Sequence, residues 1–258
     1  MKNKNVLCIL LLLTSVSVMA NTDNEVFLEQ SGDTLTLEID QIGYGNKICG
    51  SVNGGACDSD WVLTGDQLNI NLDILGNDNQ IFGNTIFNNS SVDITISGDS
   101  NVWDWDVGYI GSVDSTDILV DVTGDTNTFD IDLGYDASTE RLDFDLDVLG
   151  SLNSLDVDID ADDAIWDVDI TGNNNTFTSA VSDGNYHELN FELSGDNSQV
   201  TLIQDSGTCP DGIMSCSGKI DVSLDGDNAM VDITQSDSLG GLDLAEAIDL
   251  DTDGLGNP

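Results

Sequence analysis

Aspartates at alternate positions are the residues of this chain with the most evident chemistry: Asp104 and Asp106, Asp130 and Asp132, Asp156 and Asp158. Carboxylates in that pattern suit three roles: ligands for a hard cation, an acid–base pair for glycoside hydrolysis, or a solvated face that blocks unwanted pairing. The hydrolase role has no specificity here, because among 49 acidic residues some pair always has suitable spacing. A hydrolytic triad would need His187, the single histidine, which lies in the polar stretch Asp183-Gly184-Asn185-Tyr186-His187 and reads as a solvated turn residue. Trp61, Trp103, Trp105 and Trp166 suggest sugar stacking, but their parity among the apolar positions points them into a core. No catalytic residue is expected, and the chain reads as a non-enzyme.

Charge narrows the partners. The 258 residues carry a formal net charge of -44. Apart from Lys2 and Lys4, the basic residues are Lys47, Arg141 and Lys219 alone. Such a surface repels phosphate backbones and anionic membranes, so nucleic-acid partners and membrane insertion are not expected. A hydrophobic content of 39% with two prolines argues for an ordered chain.

Lys2 and Lys4, the apolar run Val6 to Leu13 and the small residue Ala20 before Asn21 have the layout of a secretory signal peptide over 1–20. Export favours oxidised thiols, and the remaining cysteines fall into two close pairs, Cys49 with Cys57 and Cys209 with Cys216. Four cysteines allow three connectivities, of which local pairing is the choice. Zinc is the alternative, though no CxxC spacing occurs. Asn88, Asn89 and Asn174 lie in glycosylation sequons, whose use depends on the host.

The elements that hold these residues follow from a repeat. A glycine followed by Asp or Asn, often with a further Asn, recurs at Gly76, Gly98, Gly124, Gly150, Gly172, Gly195 and Gly226, with Gly32 fitting upstream and Gly54 weakly. From Gly32 the steps are 22, 22, 22, 26, 26, 22, 23 and 31 residues. Relative to each glycine, the positions at -6, -4, -2, +5, +7 and +9 are large and apolar in 45 of 54 cases, while the interleaved positions are mostly acidic. Period-two alternation on both sides of a Gly-Asp/Asn turn means strand, tight turn, strand. Glycine tolerates the positive φ of that turn, and Asn or Asp hydrogen-bonds its own turn backbone. One such unit cannot bury its apolar face alone, but stacked units can. The expected fold is all-β: a β-solenoid of about nine strand-turn-strand coils with two facing parallel sheets, spanning residues 21–235. An antiparallel meander has the same local pattern. The opposite turns fall near Gly43, Gly65, Gly108, Gly134 and Gly184 and vary in length.

The segment Gln41-Ile42-Gly43-Tyr44-Gly45-Asn46 resembles the Gln-x-Gly-x-Gly-Asn core of the curlin repeat. Gln30-Ser31-Gly32-Asp33, Ile203-Gln204 and Ile233-Thr234-Gln235 support the likeness, and the 22-residue step is similar. The strict motif, with Gln41, Gly43, Gly45 and Asn46, occurs once. Inward positions that are Gln, Asn or Ser in curlin repeats are here mainly apolar, and the outer faces are far more acidic. The resemblance implies a secreted subunit of curli-type amyloid fibres, self-associating or joining other fibre subunits after export through outer-membrane machinery.

Stacked in register, Asp104, Asp130 and Asp156 would form one column and Asp106, Asp132 and Asp158 another. Neighbouring carboxylates ~4.8 Å apart repel by roughly 1 kcal/mol in water. Calcium or high ionic strength would relieve this, against the plainer solvated face; no defined calcium loop occurs and no cofactor is required. Past Gln235 the pattern stops, leaving 236–258 as an acidic tail or cap in which Leu242 to Leu250 could form a short amphipathic helix. The expected role is structural: a subunit, accessory or nucleator of an extracellular fibre or biofilm matrix. The alternative is a monomeric, calcium-stabilised surface or adhesive protein.

Overall fold

The computed structural model describes residues 8–12, 25–43, 45, 47–49, 61–107, 114–134, 139–162, 164–184, 187–206, 219–237 and 247–252. Alternating apolar and polar residues make these segments strands, and among the described residues there is no helix. Of the paired cysteines, Cys49 ends a strand, and Cys57, Cys209 and Cys216 lie outside the described residues. Gly54 and Asn46 also lie outside them.

The strands are shared between two parallel sheets. Sheet A takes β1 (Cys8–Leu12), β4 (Thr36–Ile42), β7 (Asn69–Leu75), β9 (Ser91–Ser97), β11 (Asp114–Thr123), β13 (Thr139–Leu149), β15 (Ile165–Thr171), β17 (Glu188–Ser194), β19 (Lys219–Asp225) and β21 (Ala247–Thr252), paired in that order. Sheet B begins with β2 (Glu25–Phe27) and β3 (Glu29–Ser31), which pair with β5 (Lys47–Cys49) and β6 (Val62–Asp66) respectively. Both of those pair with β8 (Gln80–Asn88). The sheet continues through β10 (Val102–Val107), β12 (Thr128–Leu133), β14 (Ser154–Asp162), β16 (Thr176–Gly184), β18 (Gln199–Ser206) and β20 (Met230–Asp237). Every pairing is parallel and, one corner contact apart, joins strands that are not consecutive in the chain, which makes a β-solenoid and excludes the meander. The far end of β14 rounds the corner and pairs with the start of β13, Thr139 opposite Ala161.

The inward positions from both sheets meet in one core. Val92, Ile94, Ile96, Phe129, Ile131, Leu146 and Val157 are each at most 2% exposed. The four tryptophans are inward, as their parity predicts. Trp103 and Trp105 stack at 5.4 Å, and Phe129 of the next coil meets Trp103 edge-on at 5.8 Å. Gly83, opposite Trp105, leaves room for two indoles: a Cβ there would stand 3.6 Å from Trp61 and 3.7 Å from Trp105.

Three expectations are corrected. Gly32 does not belong to the glycine column. Gly43 does, because the Gly43 N–H donates to Leu75 O at the base of the Gly76 turn, whereas the Gly32 N–H donates to Thr64 O beside Gly65 on the opposite side. In the first coils both sides use the same turn, a glycine followed two residues later by a left-handed residue, as in Gly32-Asp33-Thr34 and Gly65-Asp66-Gln67. Arcs of 11 residues then make the two columns interchangeable to a 22-residue ruler. Next, His187 is 2% exposed, not solvated. It continues the inward alternation to -8, the corner column of Leu35, Leu68, Ser90, Thr116, Leu142 and Ala164, and its carbonyl accepts from the Lys219 N–H at 2.8 Å. Finally, the far half of the helix expected from Leu242 to Leu250 is strand: β21 begins at Ala247, and Ile248 and Leu250 pair with Ile220 and Val222 of β19, while residues 242–246 lie outside the described residues.

Candidate functional site

The constant turn is the organising feature. Gly76, Gly98, Gly124, Gly150, Gly172, Gly195 and Gly226 all have φ between 140 and 156°. The residue two positions on is left-handed in every copy: Asp78, Ser100, Thr126, Leu152, Asn174, Asn197 and Asn228. A Cβ on Gly124 would lie 2.0 Å from the Gly98 carbonyl oxygen, and on Gly76 only 1.4 Å from that of Gly43, so stacking itself demands glycine. The curlin-like segment is the first copy of this turn. Gly43 has φ 143°, Gly45 takes the left-handed place at 62°, and its N–H donates to Asn77 O. Gln41 is buried in the column of Ile74.

Two side-chain ladders run through the turn in opposite directions. In the inner one, buried Asn accepts from the coil before it: Asn79 N–H donates to Asn101 Oδ1 at 2.9 Å, Asn101 to Asn127 and Asn127 to Asn153 at 2.8 Å, and Asn153 to Asn175 at 2.9 Å. Asn175 N–H donates to Ser198 Oγ, and Ala229 ends the run. In the outer one the acceptor belongs to the earlier coil: Asp99 N–H donates to Asn77 Oδ1 at 2.7 Å, Asp125 to Asp99 at 2.8 Å, and Asp227 to Asp196 at 2.6 Å. The Asn residues therefore tie coils together as well as closing turns; of their amides, that of Asn101 donates within its own turn, to Gly98 O, and that of Asn153 reaches Gly124 O of the coil before. Spacing alone does not reveal this, because the partners bonded between coils are 22 to 31 residues apart.

The acidic columns form as the register requires. Asp104 pairs with Asp130 and Asp130 with Asp156, while Asp106 pairs with Asp132 and Asp132 with Asp158. The block ends where Asp156 and Asp158 meet Thr178 and Ala180. Asp132, at its centre, has its carboxyl pushed up to about 6, first by burial and then by Asp130, Asp106, Asp158 and Asp104. Burial first and Asp130 second also raise Asp104. Asp158 is raised by burial, against the Ala180 N–H that donates to it at 3.2 Å. Sheet A bears a second acidic face that the sequence argument did not single out. Asp145 and Asp147 of β13 face Asp167 and Asp169 of β15, and burial followed by acidic neighbours raises Asp145, Asp147 and Asp169. Beside Asp132 and Asp158, with Gly134, Asp160 and Ala180, lies an open recess of about 330 Å³.

Each column presents one carboxylate per coil. Among the described residues no three acidic, cysteine or histidine side chains converge on a ready-made metal site. The block can collect a diffuse cation cloud or take bridging cations between coils; it is not a cage.

The two ends differ. Val26, Leu37 and Ile39 at the start are at most 8% exposed, and β1 pairs with β4 there. At the other end Ala229, Val231 and Ile233 are only partly buried against the core, and Met230 is 59% exposed. Among the described residues β20 has a partner on one side only. No described helix is long and apolar enough to cross a membrane. Comparison with protein-family models, with curated proteins and with solved structures finds no match to this chain.

Proposed function

We propose that this protein is a secreted, non-catalytic structural subunit or nucleator of an extracellular fibre or biofilm matrix, assembling by end-on stacking of its solenoid. The observation that carries this reading is the β20 end, where, among the described residues, the strand has a partner on one side only and Val231 and Ile233 sit half-buried in a fold that adds layers by parallel pairing. An unpaired edge over exposed apolar side chains templates a further strand. The likeness to curlin repeats supports the same role; its Gly43 and Gly45 hold the glycine and left-handed positions that recur in the stacking turn. Secretion and the two short disulfides, Cys49–Cys57 and Cys209–Cys216, belong to this reading.

A second reading is favoured by the in-register Asp columns: a monomeric surface or adhesive protein stabilised by calcium on Asp104, Asp106, Asp130, Asp132, Asp156 and Asp158. Electron microscopy of the leader-free protein in calcium and in EDTA separates the two. Fibres in calcium alone make the columns an assembly switch, and fibres in both make them a solubilising face. Single particles in both, with a calcium-dependent rise in melting temperature, establish the second reading and remove the first.

A further inference from the structure

Residues 8–12 lie inside the segment read as a leader, yet β1 occupies a definite place in the fold. It pairs in parallel with β4 at the start of sheet A, with Ile9 opposite Leu37 and Leu11 opposite Ile39. The edge of β4 therefore accepts one more parallel strand. The strand at the far end of the same sheet, β21, carries an equivalent pattern: Ile248 and Leu250, two residues apart, register with Ile220 and Val222 of β19. Set on β4 of a second copy, Ile248 and Leu250 would fall over Leu37 and Ile39, the positions that Ile9 and Leu11 hold.

Sheet B gives the same answer independently. Following the ladder strand by strand, Glu25 shares a column with Lys47, Gln80, Val102, Thr128, Ser154, Thr176, Gln199 and Met230. Val231 thus comes over Val26 of a following copy. Four residues further along β20, Gln235 pairs with Gln204, and that column descends to Gln30. A head-to-tail joint in this register meets the half-buried Val231 with an apolar residue and extends Gln204–Gln235 onto Gln30. The mismatch is electrostatic, since Asp249 and Asp251 would face Glu38 and Asp40, so the joint forms where charge is screened.

We propose that the β4 edge is a docking seat for the β20–β21 end of a second copy, and that residues 8–12, while attached, fill that seat and keep the chain single. This rests on the fibre reading above and adds its polarity, its register and its gate. The strand acts by competition: an intramolecular strand outcompetes a partner at any ordinary protein concentration.

The test uses the full 258-residue chain, refolded without leader processing, at ~1 M salt, where the screening length is about 3 Å. Leu10→Pro with Leu11→Pro removes whichever of two adjacent amide hydrogens faces β4 and leaves the coils from Glu25 onward untouched. Assembly, followed by light scattering and microscopy, is expected to be at least ~10-fold faster in this variant, because an open edge replaces a covered one. Amide exchange should report loss of protection at alternate residues of β4 only. Adding Val231→Lys is expected to abolish assembly, whereas Ile203→Lys, at an exposed site on β18, leaves it unchanged. Equal assembly with and without the proline pair refutes the gate and leaves the fibre reading standing. Assembly that survives Val231→Lys, with folding verified by circular dichroism, refutes the seat. Failure of every form to assemble, including leader-free protein, removes the fibre reading and this inference with it.

Discussion

The two sides of the solenoid obey different rules. On the glycine side, from Gly76 to Gly195, each connection is four residues long, places glycine at extended positive φ and a left-handed residue two positions later, and bonds to its neighbours through backbone and side chains alike. On the other side the connections lengthen from Asn89-Ser90 to the twelve residues between Ser206 and Lys219. Side-chain bonds between coils on that side follow no single pattern: Leu68 N–H donates to Ser90 Oγ at 3.0 Å, Asp66 N–H to Asp33 at 3.3 Å and Arg141 Nε to Ser115 Oγ at 2.9 Å. One side fixes the register, because a coil that slips by one residue loses both ladders and turns its core outward. The other side absorbs length, because lengthening a loop costs little once its ends are held.

The comparison is broken most directly at a glycine. Gly124→Ala forces a Cβ into the Gly98 carbonyl and an Ala into φ 145°, and should cost more than ~4 kcal/mol or prevent folding, read as loss of the cooperative thermal transition. Next in size is the inner ladder. Asn127→Ala leaves the buried Asn101 N–H without its acceptor and should cost about 1–3 kcal/mol in denaturant unfolding. Its outer counterpart Asp125→Ala, at an exposed turn, should cost less than half as much.

A third expectation concerns charge. The Asp132 pKa of about 6 lies above the ordinary value, so the folded state binds this proton more tightly than the unfolded chain does. The charged carboxylate therefore costs stability in full above pH 6, and the cost is relieved as pH falls from 6 towards 4. Asp132→Asn should raise the melting temperature at pH 7 and leave it unchanged near pH 4. The opposite sign would mean that cations already neutralise the column, as would a melting temperature at pH 7 that falls on adding EDTA. The smallest effect is expected on the variable side: two residues inserted between 136 and 137 should cost under ~1 kcal/mol by the same unfolding assay.

Much of this was legible from Gly98 to Gly172, where alternation and turn signals agree. Val92, Ile94, Ile96, Phe144, Leu146 and Val148 are core residues both by parity and by burial, and the Asp104–Asp130–Asp156 column follows from counting. The misplacement of Gly32 has a geometric cause, since the early coils repeat their turn on both sides and a period cannot say which side it counts. Parity survived the slip because 11-residue arcs preserve the inward positions. His187 was hidden by its polar neighbours, although one more step of two from Leu189 reaches it. The ladders needed the third dimension: Asn101 and Asn127 look like local turn residues until the coils are stacked. In the tail, Leu242 to Leu250 reads as a short amphipathic helix, while from Ala247 on the edge of β19 selects the period of two in Ile248 and Leu250.

Fibre diffraction from aligned, leader-free protein assembled at high salt tests the central claim most directly. End-on stacking predicts a ~4.8 Å reflection along the fibre axis, since each subunit continues the spacing of its own coils. Filaments with that reflection across the axis, or single particles under every screening condition, would contradict it.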